Sequence, residues 1–260
     1  MRIALLLFTA VFFLVSCGDG SEKSFHNNGN VKERWFEAKA ENGKMVRHGS
    51  FERFDDKGNK RDSINYNMNQ RHGIEISWHP NGEIAKKCNW TDGFLDGLCD
   101  EFTDQGQKVQ SVTWVKGKLH GPKLIWNREG VKTEEIHYKD GLQDSLYQRW
   151  NDKGVLKHSV TYLEGRKHGE EKMWCEEEQY ADVIREQRIW EHGKREGIET
   201  YYVCIDGEIS GILTWENDKM HGPYTYWEEG DQVTDFYEEN EKIEEKTKRI
   251  KNKPKPKRKK

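Results

Sequence analysis

Five histidines, His48, His72, His120, His168 and His221, each precede a glycine. Imidazoles ligate metals and move protons near neutral pH, so a repeated His-Gly phrase raises both chemistries. The spacing tells against them. Asp96, Asp144 and Glu196 stand in the same column, and the eight positions step by 24, 24, 24, 24, 24, 28 and 25 residues. If the copies are β-hairpins, neighbours lie two strands apart, roughly 9–10 Å. Zinc–nitrogen bonds are about 2 Å, so adjacent copies cannot easily share one ion. A column that also accepts Asp and Glu reads as a polar turn residue bonded to backbone. Neither a metal nor a cofactor is expected.

Other chemistry is equally hard to find. The chain has no Gly-x-Ser-x-Gly, no His-Glu-x-x-His, no Ser-x-x-Lys in context, no phosphate-binding loop and no dinucleotide fingerprint. Acid pairs such as Glu134-Glu135 and the run Glu176 to Glu178 fall in stretches read as solvated. No catalytic residue is expected, and the protein reads as a non-enzyme.

The repeated phrase belongs to a longer unit. Six residues after its first position lie Phe54, Trp78, Phe102, Trp126, Trp150, Trp174, Tyr202 and Trp227. Eighteen after it lie Tyr66, Trp90, Trp114, Tyr138 and Tyr162, and the lengthened later copies shift this column to Trp190 and Trp215. Glycines recur ten and twenty-one after it. Within His72 to Asp92, Ile74, Ile76 and Trp78 alternate with polar residues, as do Ile84, Cys88 and Trp90. Period two means strand, and the loop Pro80-Asn81-Gly82 suits a hairpin. That loop is expected to set Trp78 opposite Ile84 and Ile74 opposite Cys88, with every apolar residue on one face. The fold class is all-β: an elongated array of about eight antiparallel 24-residue hairpins in a single twisted sheet. A lone hairpin is unstable, so the ring of each unit is expected to cover the ring of the next, with stability summed over neighbours.

Composition agrees. Only 33% of the 260 residues are hydrophobic and 34% are charged, too polar for a thick two-layer globule, yet aromatics reach 12% with ten Trp. A net charge of −3 gives no bias toward nucleic acid.

The ends are different. Residues 1–17 read MRIALLLFTAVFFLVSC: a basic residue, an apolar run too short to span comfortably, then Leu14-Val15-Ser16-Cys17. That ending resembles a bacterial lipobox. The resemblance implies cleavage before Cys17 and lipid on its thiol and amine, whereas an ordinary secretory signal would leave Cys17 incidental. Residues 1–16 are then the signal peptide, 17–27 a tether, 28–237 the repeat domain and 238–260 a charged, basic, disordered tail whose first part suits a short helix. The tail's basic end suits either attachment to an anionic surface or simple solubilisation. The expected address is the bacterial cell envelope, lipid-anchored.

Taken together, Gly-Lys-x-His-Gly, an aromatic, Asn-Gly, a second aromatic and Gly resemble the variant MORN repeat of bacteria over about residues 28–237, with a partial, out-of-phase unit at 25–47. The resemblance implies stacked antiparallel hairpins and a scaffold that contacts protein or lipid. Some members of that family are antitoxin-like, so a toxin-neutralising partner is the alternative. The expected partner is an unknown protein or envelope polymer, the protein itself being a monomer. The doubled rings Tyr201 and Tyr202, and Tyr224, Tyr226 and Trp227, are the candidate binding patch. In a compartment that permits disulfides, Cys175 is expected to pair with Cys204, and Cys88 could pair with Cys99.

Overall fold

The computed structural model describes residues 20–251 and 253–255. They form an all-β array of antiparallel hairpins, divided into two units, residues 1–107 and 108–260.

The hairpin of strands Gly73–Trp78 and Ile84–Thr91 typifies the first unit. His79 N donates to Glu83 O at 2.8 Å and Gly82 N donates to His79 O at 3.0 Å, with Gly82 at φ +92°. This is the expected glycine-terminated loop. The pairing beyond it corrects the expected parity. Trp78 does face Ile84, but Ser77 faces Lys86 and Glu75 faces Cys88, so Ala85 is an extra, bulged residue and Ile74 meets Asn89. A one-residue bulge moves the rest of the strand to the other face. Ile74, Ile76 and Trp78 therefore share one face, and Cys88 and Trp90 occupy the opposite one with Glu75. In the second unit, strands Lys118–Trp126 and Lys132–Lys139 do the same: Trp126 faces Lys132, and Ile125 faces Glu134. The two aromatic columns lie on opposite faces, not on one.

The core sits on the face of the second column. Ile64, Cys88 and Cys99 are its buried row in the first unit; Val112, Ile136 and Val160 are that row in the second. Rings flank the row, and cations cover them. Arg47 stands 5.6 Å from the Tyr66 ring and Arg71 4.7 Å from Trp90; Lys167 stands 4.6 Å from Trp190 and Arg195 3.5 Å from Trp215. On the opposite face Lys60 covers Trp78 at 5.8 Å, and Lys132 covers Trp150 at 4.2 Å. Rings at equivalent places in successive hairpins are too far apart for the 4.5–7 Å contact that rings prefer. Lysine and arginine stems fill the interval, in place of the expected ring-on-ring shielding.

The His-Gly phrase marks a second bulge, at the other end of the strands. Strand Phe94–Phe102 pairs Trp90 with Leu95 but Cys88 with Cys99, so Asn89 spans Asp96, Gly97 and Leu98. Gly97 adopts φ +105°, and a Cβ there would lie 3.1 Å from Asn89 Nδ2. Both the left-handed conformation and the close approach demand glycine. Two-residue turns with positive φ at both residues, such as Asp92-Gly93 and Asp140-Gly141, join successive hairpins.

Strand pairing runs past the expected limits at both ends. Strand Glu22–Phe25, inside the stretch read as a tether, pairs with Val31–Lys39 through a turn at 26–30 like the other loops. The five-residue connection 40–44, standing where later units have two-residue turns, explains why 25–47 read as out of phase. At the other end the region read as a helix and disordered tail holds a 3-10 turn at Glu244–Lys246 and strand Lys248–Ile250. This strand pairs with Asp231–Glu238, and Arg249 reaches Glu228 and Asp231. Cys17 lies outside the described residues.

Candidate functional site

Building outward from the histidines, three of the imidazoles sit at their bulges beside a turn residue of their own repeat, while His221 lies 3.7 Å from Glu216 of the preceding strand. His72 Nδ1 is 3.5 Å from Asp92 Oδ1, His120 Nδ1 is 3.7 Å from Asp140 Oδ1, and the His168 and His192 rings lie 5.1 Å apart. Among the described residues no group of three His, Cys, Asp or Glu side chains could hold a metal ion.

In the second unit the buried row changes character. After Val160 it continues through Glu171, Arg188 and Glu199, and both glutamates are only 1% exposed. Glu171 accepts from His158 Nε2, Lys167 Nζ and Trp190 Nε1, each at 2.7 Å. Arg188 Nε lies 3.5 Å from Glu171 and 3.2 Å from Glu199, and its Nη2 pairs with Glu186. Tyr201 OH donates to Glu199 Oε1 at 2.8 Å. Burial pushes the Glu171 carboxyl up, but hydrogen bonds from His158, Lys167 and Trp190 outweigh it and hold the group at about 2. A carboxylate so firmly ionised and so fully bonded has no proton to give at neutral pH, and its role is to tie three adjacent strands of two hairpins together. Burial, with the bond to Glu199, pushes the Tyr201 hydroxyl up to about 12.

Sequence reading missed this row, although a signal was present. Wherever Glu occupies the third place after the phrase, as in Glu75, Glu171 and Glu199, the ring fifteen or more residues on is Trp: Trp90, Trp190 and Trp215. Only tryptophan brings an N–H to a carboxylate there.

The candidate tyrosines divide. Tyr201, Tyr224 and Tyr226 share the core face around Gly211. The Tyr224 and Tyr226 rings are 5.0 Å apart, and an added Cβ at Gly211 would lie 3.6 Å from Tyr224 and 3.8 Å from Tyr201. All three are half-buried. Trp227 lies on the opposite face, as one residue along a strand requires. Its Nε1 donates to Lys253 O at 3.1 Å.

A column of exposed apolar residues lies elsewhere, two places after the first residue of the phrase on the face opposite the core. In the first unit Ile74 is 44% and Leu98 51% exposed; in the second Leu146 is 38% and Ile198 58% exposed. The same column holds Ser50, Pro122, Glu170 and Pro223 in the other hairpins. The cysteines form two cross-links. Cys88 faces Cys99 across adjacent strands, Cα to Cα 4.0 Å, and Cys175 bonds Cys204 across consecutive loops, Cα to Cα 5.8 Å. Cys175 is fully buried, and its carbonyl accepts from the buried Lys157 Nζ.

Comparison with known proteins agrees with this hairpin geometry. The family model described as "MORN repeat variant" matches residues 18–36 and 71–92, which cover the first hairpin and the one that follows His72. No curated protein sequence matches. A solved structure titled "Crystal Structure of TcdB2-TccC3-TEV" resembles the chain at 8% identity, with a TM-score of 0.23, over 84% of this chain. The chain spans 15% of that chain's length, and a likeness at that score carries no argument.

Proposed function

Starting from a chain that carries MORN-variant repeats, we propose that this protein is a non-enzymatic scaffold of the bacterial cell envelope, held to its membrane by lipid on Cys17. It presents the face opposite its core to a protein partner. The observation that carries this reading is the exposed apolar column: Ile74 and Leu98 in one unit, Leu146 and Ile198 in the other. Four of the eight repeats place an exposed aliphatic side chain at the same position, where Ser50 and Glu170 show that a polar residue is also accommodated, and this suits a partner that contacts more than one hairpin. At the centre of the best-built polar cluster the Glu171 carboxylate is buried and held ionised, which supports a structural and not a catalytic role for it.

Cys17→Ala, expressed in a bacterium, moves the protein from the membrane to the soluble fraction and abolishes labelling by a clickable fatty acid. A photo-crosslinker at position 98 yields a discrete adduct that Ile74→Lys removes. Retained membrane association by Cys17→Ala would overturn the anchor, and no adduct at 98 or 146 would overturn the contact face. If the adduct is a single stoichiometric protein, toxic when expressed alone, the scaffold is a neutralising partner.

A further inference from the structure

The last three hairpins form an unbroken run that differs from most of the others at the loop edge. In earlier repeats a cation from the neighbouring strand covers the ring that precedes the loop, as Lys60 covers Trp78 and Lys132 covers Trp150. At the corresponding places before Trp174, Tyr202 and Trp227 the sequence has Leu156, Ile184 and Ile209, as Ile84 stands before Phe102 among the earlier repeats. The adjoining loops are acidic: residues 175–183, 203–208 and 228–231 hold four, two and three acidic residues and no basic one. Loops 127–131 and 151–155 each hold one of either sign. Rings without a cation at that place thus lie beside acidic loops, where Arg249 pairs with Glu228 and Asp231 and Lys153 pairs with Glu178. The Cys175–Cys204 disulfide fastens two of these loops together.

The chain also supplies the complementary charge. After strand Lys248–Ile250 it turns across the last hairpin, where Trp227 Nε1 donates to Lys253 O at 3.1 Å. A cleft of about 350 Å³ is lined by Glu208, Trp227 and Gly230 on one side and by Lys253, Pro254 and Lys255 on the other. Glu208 belongs to the preceding loop, so the segment heads from the last hairpin toward the one before. Residues 251–260 read KNKPKPKRKK, seven cations and no acid.

We propose that the loop edge of the last three hairpins is a docking track for a lysine-rich, proline-spaced segment, and that its resident occupant is this chain's own C-terminal segment. Proline favours the extended polyproline conformation, which advances about 3.1 Å per residue. The five residues beyond Lys255 therefore reach about 15 Å, beyond the roughly 9–10 Å that separates successive hairpins and far enough to set lysines over Tyr202 and against loop 203–208. The contact is cation on ring with carboxylates around it, the arrangement that the earlier repeats build internally. A tethered segment holds its site at a high effective concentration. A basic segment of another protein must displace it, and the segment's lysines are withheld from other anionic surfaces while it is docked.

The full chain tests this by lysine-acetylation footprinting read by mass spectrometry. Lys255, Lys257 and Lys259 are expected to react at least threefold more slowly than the exposed Lys57, and to lose that protection in 0.5 M salt, in Trp227→Leu, and in Asp206→Lys with Glu208→Lys. A fluorescent KNKPKPKRKK peptide is expected to bind a chain ending at Ile250 at least tenfold more tightly than the full chain, with circular dichroism verifying that the shortened chain keeps its strands. Reaction of the tail lysines at the rate of Lys57, in every variant, overturns the proposal. So does protection that arises only when anionic phospholipid vesicles are added, which makes the segment a surface-binding arm. If the shortened chain does not fold, the footprint on the full chain decides alone.

Discussion

Trp190 donates its indole N–H to Glu171 at 2.7 Å, and Trp90 makes the same bond to Glu75 at 2.8 Å in another repeat. In both, the ring closes one side of the buried row and turns its single polar atom onto a carboxylate of the partner strand. The bond explains how acidic residues enter a core only a few side chains wide. Glu199 and Trp215 stand in the same relation in sequence, yet Glu199 Oε2 and Trp215 Nε1 have no partner among the described residues. Glu199 spends its other oxygen on Tyr201 and Arg188.

Removing the carboxylate of Glu171 leaves Lys167, His158 and Arg188 crowded without their shared counter-charge. Glu171→Ala is expected to cost about 3–5 kcal/mol, the usual penalty for breaking a buried ion pair on one side. Trp190→Phe, which removes one donor among several, is expected to cost about 1 kcal/mol. Urea titration followed by tryptophan fluorescence measures both, with other indoles reporting on the Phe variant.

Acid should act through the same residue. The Glu171 carboxyl sits at about 2 in the folded chain against 4.5 for an unperturbed glutamate. A folded-state value below the unfolded one gives stability that is complete above pH 4.5 and is lost as pH falls toward 2. Its size is on the order of 3 kcal/mol. Glu171→Gln is expected to flatten that part of the pH–stability curve, and an unchanged acid limb would remove Glu171 from the account.

Cys175 and Cys204 are separated by 29 residues. Closing a loop of that length lowers the entropy of the unfolded chain by an amount worth about 3–4 kcal/mol. Reduction, or Cys204→Ser, is expected to speed amide exchange most in loops 175–183 and 203–208, because repeat arrays open locally. Hydrogen exchange read by mass spectrometry on the oxidised and reduced chain checks this.

Arg71 lies 4.7 Å from the Trp90 ring and also 3.5 Å from Glu75. Arg71→Met keeps much of the stem and removes the charge. The expected loss is about 0.5–1 kcal/mol, the range for an exposed cation on a ring, and should fall as salt is added.

Ser145 holds φ +70° where most repeats have glycine, while Gly121 holds φ +83° with Thr113 Cβ 3.7 Å from where its own Cβ would be. Ser145→Gly is expected to stabilise the chain by roughly 1 kcal/mol, and Gly121→Ala to destabilise it by roughly 1–2 kcal/mol. Thermal unfolding of the two variants should shift in opposite directions.

The repeat, the strand type and the loops could be read from spacing, because period and turn chemistry are local properties. The assignment of side chains to faces could not. It turns on Ala85 and Thr133, ordinary residues that bulge only because both ends of the strand are pinned, by Gly82 or Gly130 at the loop and by the His-Gly phrase beyond. The ionic row escaped because Glu171 and Glu199 look like solvent-facing acids until Arg188 is placed between them. The cations over the rings were visible in sequence, Arg71 one residue before His72 and Lys167 one before His168, but their role depends on a cross-strand distance that spacing alone does not give.

Extra residues between repeats fall where the bulges permit. The steps of 28 and 25 residues arise from longer loops at 175–183 and 203–208, while the strands on either side keep their pairing. The two-residue turns at the other edge have less slack, the five-residue connection at 40–44 being the exception, since one residue added to such a turn would invert every side chain downstream. An epitope tag or a grafted recognition peptide therefore belongs at the wide loops, and whole modules, never fractions, are the natural unit of lengthening this chain.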